Sequence, residues 1–234
     1  MVSKITLTIN EQEISTEAGQ SILEISRENG IHIPTLCHVD GLPATGACRM
    51  CLVEVDGSRK LLPSCVTKAS DGMNIRTNTE KLKNYRKTIL ELLFAERNHT
   101  CSVCVSNGHC ELQSTAQEVG VNHVNFDYRN PQLVVDLSNE RFGVDHNRCI
   151  LCGRCVRVCD VIEGAQTRNL KNRGIDTLVI TDFDQPWGES DTCTDCGKCV
   201  EVCPTGALFR KGLGSSEMVK DTSFLPDLAK NREA

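Results

Sequence analysis

The chain has 234 residues, 26 basic against 31 acidic side chains and a formal charge of −5, with 4% aromatic residues and 15 cysteines. That balance excludes a phosphate-tracking nucleic-acid surface, which needs a basic excess or stripe. No apolar run is long enough for a membrane-spanning helix. Residues 1–10 read as an alternating strand rather than a charged segment leading into an apolar signal core, so the expected location is cytoplasmic. In a reducing compartment thiols stay free, and an odd cysteine count cannot pair completely, so metal ligation is the default role of these cysteines.

Taken in chain order, Ile5, Leu7 and Ile9 alternate with polar neighbours, Asn10-Glu11 suits a tight turn, and residues 13–16 form the returning strand. Ser21 and Glu24 stand at capping-box spacing before the apolar Ile22, Leu23 and Ile25, and Gly30 is placed to end that helix in the left-handed region. After a cysteine-bearing loop, Leu52–Val55 regains strand character and Asp56-Gly57 marks a hairpin. This order fits a β-grasp domain over residues 1–78. A helix follows over residues 79–97, its apolar side made by Leu82, Tyr85, Ile89, Leu92 and Leu93. It opens a small helical domain at 79–125. Residues 126–140, with Pro131, read as a linker. Residues 141–210 contain a repeated cysteine motif, a strand near 178–180 and a turn at 185–188. Residues 211–234 read as a tail that wraps on a partner. The fold class is α+β.

The repeated motif is C-x2-C-x2-C-x3-C: Cys149, Cys152, Cys155, Cys159 and again Cys193, Cys196, Cys199, Cys203. Three thiolates at i, i+3 and i+6 wrap three corners of a cubane cluster, and the fourth lies too far along the chain and ligates the neighbouring one. One [4Fe-4S] cluster is therefore expected on Cys149, Cys152, Cys155 and Cys203, and another on Cys159, Cys193, Cys196 and Cys199, as in a bacterial-type double ferredoxin. Zinc also accepts C-x2-C pairs, but it leaves the third cysteine and the crossed arrangement without a role. Cys203 is followed by Pro204 and Cys159 by Asp160, so the local turn at Cys159 is left open.

The earlier loop carries Cys37, Cys48, Cys51 and Cys65, with Ala44, Gly46 and Ala47 small enough to let backbone N–H groups approach a [2Fe-2S] cluster. A structural zinc loop is the alternative there. Between these groups, Cys101, Cys104 and Cys110 leave a third [4Fe-4S] cluster one ligand short. Iron accepts imidazole, and His99 is the first candidate, with His109 as the rival. A neutral imidazole in place of an anionic thiolate raises a cluster's potential. Fifteen cysteines and one histidine then serve one [2Fe-2S] and three [4Fe-4S] clusters, with no cysteine left over.

This order of motifs resembles the N-terminal part of the large iron–sulfur subunit of respiratory complex I and of iron-only hydrogenases. There the histidine stands three residues before the first cysteine of its loop; here one residue separates His99 from Cys101. The chain is more similar, over nearly its whole length, to the short diaphorase iron–sulfur (gamma) subunit family of bidirectional NAD(P)-linked nickel–iron hydrogenases. Residues 92–101, 145–152 and 185–188 carry that likeness. The resemblance implies a relay between a flavin subunit that binds NAD(P)H and the small and large subunits of a nickel–iron hydrogenase, within a heteromeric oxidoreductase complex. The equivalent relay of a complex I-like NADH dehydrogenase or an NAD-linked formate dehydrogenase is the alternative. A self-sufficient iron-only hydrogenase needs further cysteines for an active-site cluster, and a redox-silent zinc module is the remaining class. No catalytic acid, base or nucleophile stands out, and neither a G-x-G-x-x-G turn nor a P-loop is present. Arg148, Arg154, Arg157 and Lys198 lie among the cysteines, either compensating cluster charge or as solvated surface.

Overall fold

Alternation in the first residues becomes the register of a mixed sheet. The computed structural model describes residues 3–233, so residues 1 and 2 of the expected strand and residue 234 of the tail lie outside the described residues. The chain forms two units, residues 1–38 with 44–89 and residues 39–43 with 90–234.

The first unit contains β1 (Lys4–Ile9), β2 (Gln12–Glu17), α1 (Ile22–Glu28), β3 (Leu52–Val55), β4 (Leu62–Pro63) and β5 (Asn74–Arg76), and α2 (Glu80–Glu96) begins in it. The strand order is β2-β1-β5-β3-β4, with β1 parallel to β5 and antiparallel to β2, the crossed arrangement of a β-grasp. Asn10 and Glu11 join β1 to β2 with φ of 49° and 71°, the left-handed pair of a primed hairpin turn. Leu7, Ile9, Val53 and Ile75 from the sheet and Ile22, Leu23 and Ile25 from α1 make one buried core. The start of α1 is fixed by a reciprocal cap: Ser21 Oγ accepts from the Glu24 amide at 3.2 Å, and the Glu24 carboxylate accepts from the Ser21 amide at 2.6 Å.

On α2 the expected apolar stripe holds only in part. Leu82 is buried, but Tyr85 and Leu92 are 49% and 47% exposed. Arg86 takes the inward position instead, donating from Nε to the Met50 carbonyl at 3.1 Å and from Nη2 to the Leu52 and Thr77 carbonyls at 3.0 and 2.9 Å. An apolar side chain cannot satisfy three buried carbonyls, whereas a guanidinium fork can.

The second unit contains α3 (Glu111–Val119), β6 (Val135–Asp136), β7 (Phe142–Asp145), α4 (Arg154–Arg157), β8 (Arg168–Lys171), β9 (Leu178–Thr181), α5 (Lys198–Glu201), β10 (Leu208–Arg210) and α6 (Leu225–Glu233). One sheet has the order β10-β7-β6, and β8 pairs with β9. The segment read as a linker thus contributes edge strand β6. The sequence repeat is a backbone repeat: Leu151 and Asp195 have φ of 53° and 54°, and Gly153 and Gly197 follow at 69° and 74°. Each motif therefore turns through the same left-handed corner before its short helix. They differ where the sequence differs. After α4 the chain continues as a π-helical turn, Val158–Glu163, ended by Gly164, because Asp160 keeps the N–H that Pro204 lacks in the second motif. The tail, expected to wrap on a partner, folds back on its own unit. Leu225 is fully buried with Leu42, Val158, Ile162 and Val202, and Lys220 donates to the carbonyls of Cys203 and Thr205 at 2.7 and 2.5 Å.

Candidate metal centres

All 15 cysteines are free thiols. In the N-terminal loop, Cys51 Sγ lies 3.3 Å from Cys65 Sγ, and the Cys48 amide approaches Cys37 Sγ at 3.5 Å. The amides of Ala47 and Cys48 point at Cys37, that of Met50 at Cys48 and that of Gly46 at Cys65. The small residues let the backbone come that close. Shared hydrogen bonds split each pair of thiols: Cys48 draws Cys37 below the usual thiol range and Cys65 does the same to Cys51, while Cys48 and Cys65 are pushed up. One thiol of each pair is thus ready to give up its proton to a metal.

The middle loop begins as α2 ends. His99 packs edge-on against Phe94, with ring centroids 5.4 Å apart. Its Nε2 is buried and has no hydrogen-bond partner. Burial first, then the charges of Arg148 and Arg97, bring its pKa down to about 4 against the opposing pull of Asp145. The imidazole is therefore neutral and keeps an unused nitrogen, as a metal ligand requires. His109 is exposed. Cys101 opens a 3-10 turn over Cys101–Val103, the Cys104 amide donates to the Cys101 carbonyl at 3.0 Å, and Cys110 is the N-cap of α3. Burial raises the Cys110 thiol to about 11, although the Gln113 and Leu112 amides aim at its sulfur. Arg148 ties this loop down by donating to the Thr100 carbonyl at 2.9 Å.

The two repeats surround two cavities. Cys149, Cys152, Cys155 and Cys203 line one, with His146 beside them. Cys159, Cys193, Cys196 and Cys199 line the other, with Arg168, Trp187 and Lys198. The fourth cysteine of each motif faces the cavity of the other motif's first three. Burial pushes Cys149 and Cys199 up to about 11 and Cys152 to about 12, so these thiols remain protonated unless a cation replaces their protons. Arg154, 2% exposed, links the loops: it holds the Glu111 carboxylate through two bonds of 2.6 and 2.7 Å and donates to the Val202 carbonyl at 3.3 Å. The Glu111 amide in turn donates to the Pro204 carbonyl at 2.9 Å. Among the described residues no three His, Cys, Asp or Glu side chains close on a single ion-sized point. A cluster asks for a different arrangement, since its thiolates bind different irons.

Three family models match the chain in sequence: a 2Fe-2S iron-sulfur cluster binding domain at residues 2–80, the NADH-ubiquinone oxidoreductase-G iron-sulfur binding region at 86–125, and a 4Fe-4S dicluster domain at 148–207. Over 216 residues the chain is 33% identical to the gamma subunit of the NAD-reducing hydrogenase HoxS of Cupriavidus necator, covering 92% of this chain and 91% of that one. The chain belongs to this family of gamma subunits. Its fold agrees, with a TM-score of 0.85 and 35% identity to a chain of the crystal structure of NAD+-reducing [NiFe]-hydrogenase in the H2-reduced state, over 91% of this chain and 89% of that one. It is also 41% identical to a G-type subunit of the NADH-quinone oxidoreductase of Rhizobium meliloti, over 87% of this chain but only 24% of that protein.

For a member of this gamma family, the residues present fit iron–sulfur clusters. The donors are soft thiols in two enclosed quartets and one amide-rich loop, and in the loop of the remaining three cysteines His99, two residues before Cys101, keeps an orphaned imidazole nitrogen. Sequence reasoning missed His146, Arg168 and Gly206. None lies in a cysteine motif; the lone tryptophan, Trp187, in a segment without cysteines is the sequence signal that could have pointed to residues 160–192. Of the four flagged cations, Arg148 and Arg154 are structural ties, Arg157 donates to the Pro43 carbonyl at 2.7 Å, and Lys198 pairs with Glu163.

Proposed function

We propose that this chain is the electron-relay subunit of a cytoplasmic NAD(P)-linked nickel–iron hydrogenase, connecting a flavin subunit that oxidises NAD(P)H with the hydrogenase small and large subunits. The observation that carries the reading is the joint likeness to NAD-reducing hydrogenase, in sequence to a gamma subunit at 33% identity and in fold to a chain of an NAD+-reducing [NiFe]-hydrogenase at a TM-score of 0.85. In this reading Cys37, Cys48, Cys51 and Cys65 hold a [2Fe-2S] cluster. Three [4Fe-4S] clusters sit on His99, Cys101, Cys104 and Cys110, on Cys149, Cys152, Cys155 and Cys203, and on Cys159, Cys193, Cys196 and Cys199. The buried, partnerless Nε2 supports His99 over the exposed His109.

Bound clusters supply one-electron carriers. The chain's own residues hold them, exclude water and set their charge environment, and no acid, base or nucleophile is asked for, so the chain has no active site of its own. The test is anaerobic affinity purification of the tagged chain from its source cells, followed by metal analysis. Co-purification of a flavin subunit and stoichiometric nickel is expected. Recovery with a quinone-reducing or formate-oxidising partner, and no nickel, rejects the assignment.

A further inference from the structure

Residues 160–192, between the two cysteine motifs, contain no cysteine, yet Arg168 and Trp187 are among the residues of this segment that line the second cavity. Arg168 opens β8 and is 3% exposed. Its Nη1 donates to Thr181 Oγ1 at 2.8 Å, and its Nη2 is buried without a partner. The guanidinium lies 3.7 Å above the centre of the Trp187 ring. Trp187 is 2% exposed, and its indole N–H donates to Cys193 Sγ at 3.2 Å. The Trp187 backbone is anchored by its amide, which donates to the Asp136 carboxylate at 2.7 Å, and its ring stacks on Phe142 with centroids 5.5 Å apart.

A buried guanidinium with an unsatisfied N–H is costly unless an anion or acceptor meets it. The cavity that Arg168 lines is also lined by four thiols, Cys159, Cys193, Cys196 and Cys199. We propose that Arg168 and Trp187 form a joint charge and hydrogen-bond brace that raises the reduction potential of the [4Fe-4S] cluster held by Cys159, Cys193, Cys196 and Cys199. Reduction adds one electron to the cluster, breaks no bond and moves no proton. The added negative charge is stabilised by a fixed buried cation and by an N–H directed at a ligating sulfur more than the oxidised state is. Asp136 and Lys171 also face Arg168 or its neighbours, and the brace acts as the net of these charges.

The inference rests on the cluster assignment proposed above, and its test keeps the two apart. The cluster-loaded full chain is titrated with dithionite in the presence of redox mediators and followed by EPR, as wild type, Arg168→Met, Arg168→Lys and Trp187→Phe. A wild-type chain without [4Fe-4S] signals fails the cluster assignment; signals whose midpoints ignore the substitutions fail only the brace. Arg168→Met is expected to weaken reduction of one [4Fe-4S] cluster about tenfold, a downward shift of about 59 mV for one electron. Trp187→Phe keeps the aromatic ring and removes the N–H, and is expected to shift the same signal in the same direction by roughly threefold. Arg168→Lys keeps the charge and stays nearer wild type. An unmoved midpoint in Arg168→Met at wild-type iron content overturns the proposal, as does a Lys variant that falls as far as the Met variant. If Arg168→Met does not retain iron, Trp187→Phe decides, and an unmoved midpoint there overturns the proposal.

Discussion

Gly206 lies three residues beyond Cys203, and its side-chain hydrogen faces Cys104. A Cβ built there stands 2.4 Å from Cys104 Sγ, 3.4 Å from Ser106 Oγ and 3.5 Å from Arg148 Cδ. Non-bonded heavy atoms settle at roughly 3.5–4.0 Å, so Gly206→Ala forces Cys104 Sγ to retreat by about 1 Å or more. Gly206 is not in the left-handed region, and the effect is therefore steric rather than conformational. In a chain without metal the Cys104 side chain can rotate away, and overpacking of this kind costs about 1–3 kcal/mol. A sulfur bound to iron has no such freedom, because metal–ligand distances tolerate only about ±0.2 Å. The expected result is a folded protein that lacks one cluster. Iron content falls by about four per chain, and one [4Fe-4S] EPR signal disappears while the others persist. Circular dichroism checks that the fold survives. Wild-type iron content with every signal intact in Gly206→Ala refutes the placement of Cys104 as a ligand.

Three further outcomes follow from the same geometry. His99→Ala is expected to perturb a single [4Fe-4S] signal and His99→Cys to lower its midpoint by adding a thiolate charge; an unchanged spectrum in both moves the ligand elsewhere, with His109 next to be tested. Arg86→Met strips the donors from the Met50, Leu52 and Thr77 carbonyls. At about 1–3 kcal/mol for each orphaned buried acceptor, the N-terminal unit loses roughly 3 kcal/mol or more; chemical denaturation followed by visible circular dichroism measures this, and an unshifted midpoint contradicts it. Stripping iron with a chelator is expected to abolish hydrogen-exchange protection around β7 and β10, whose core includes Cys155 and Cys203, before it does so in β1 and β2, which are packed on isoleucine, leucine and valine. Equal loss in both units argues against metal-dependent folding of the second.

What could be read from the residues alone depended on how local the physics was. The Ser21–Glu24 cap, the Asn10-Glu11 turn and the duplicated cysteine loops are set within a few residues, and the structure shows them where the spacing put them. The inward face of α2 was misjudged because Arg86 answers carbonyls on Met50 and Leu52, more than thirty residues away in sequence. Strand β6 was hidden because its two residues gain a role only by pairing with Asp145 and Val144. The tail was misread because Leu225 finds its apolar neighbours at Leu42, Val158 and Val202, which no local pattern announces. Arg168 and Trp187 were invisible as a pair for the same reason.

The most direct test of the whole account is the metal inventory of the full chain, purified or reconstituted under strict anaerobiosis and examined by iron and sulfide analysis with EPR of the reduced protein. About fourteen irons per chain are expected, with one [2Fe-2S] and three [4Fe-4S] paramagnetic species on reduction. A colourless protein that holds zinc and shows no paramagnetic centre after reduction contradicts it.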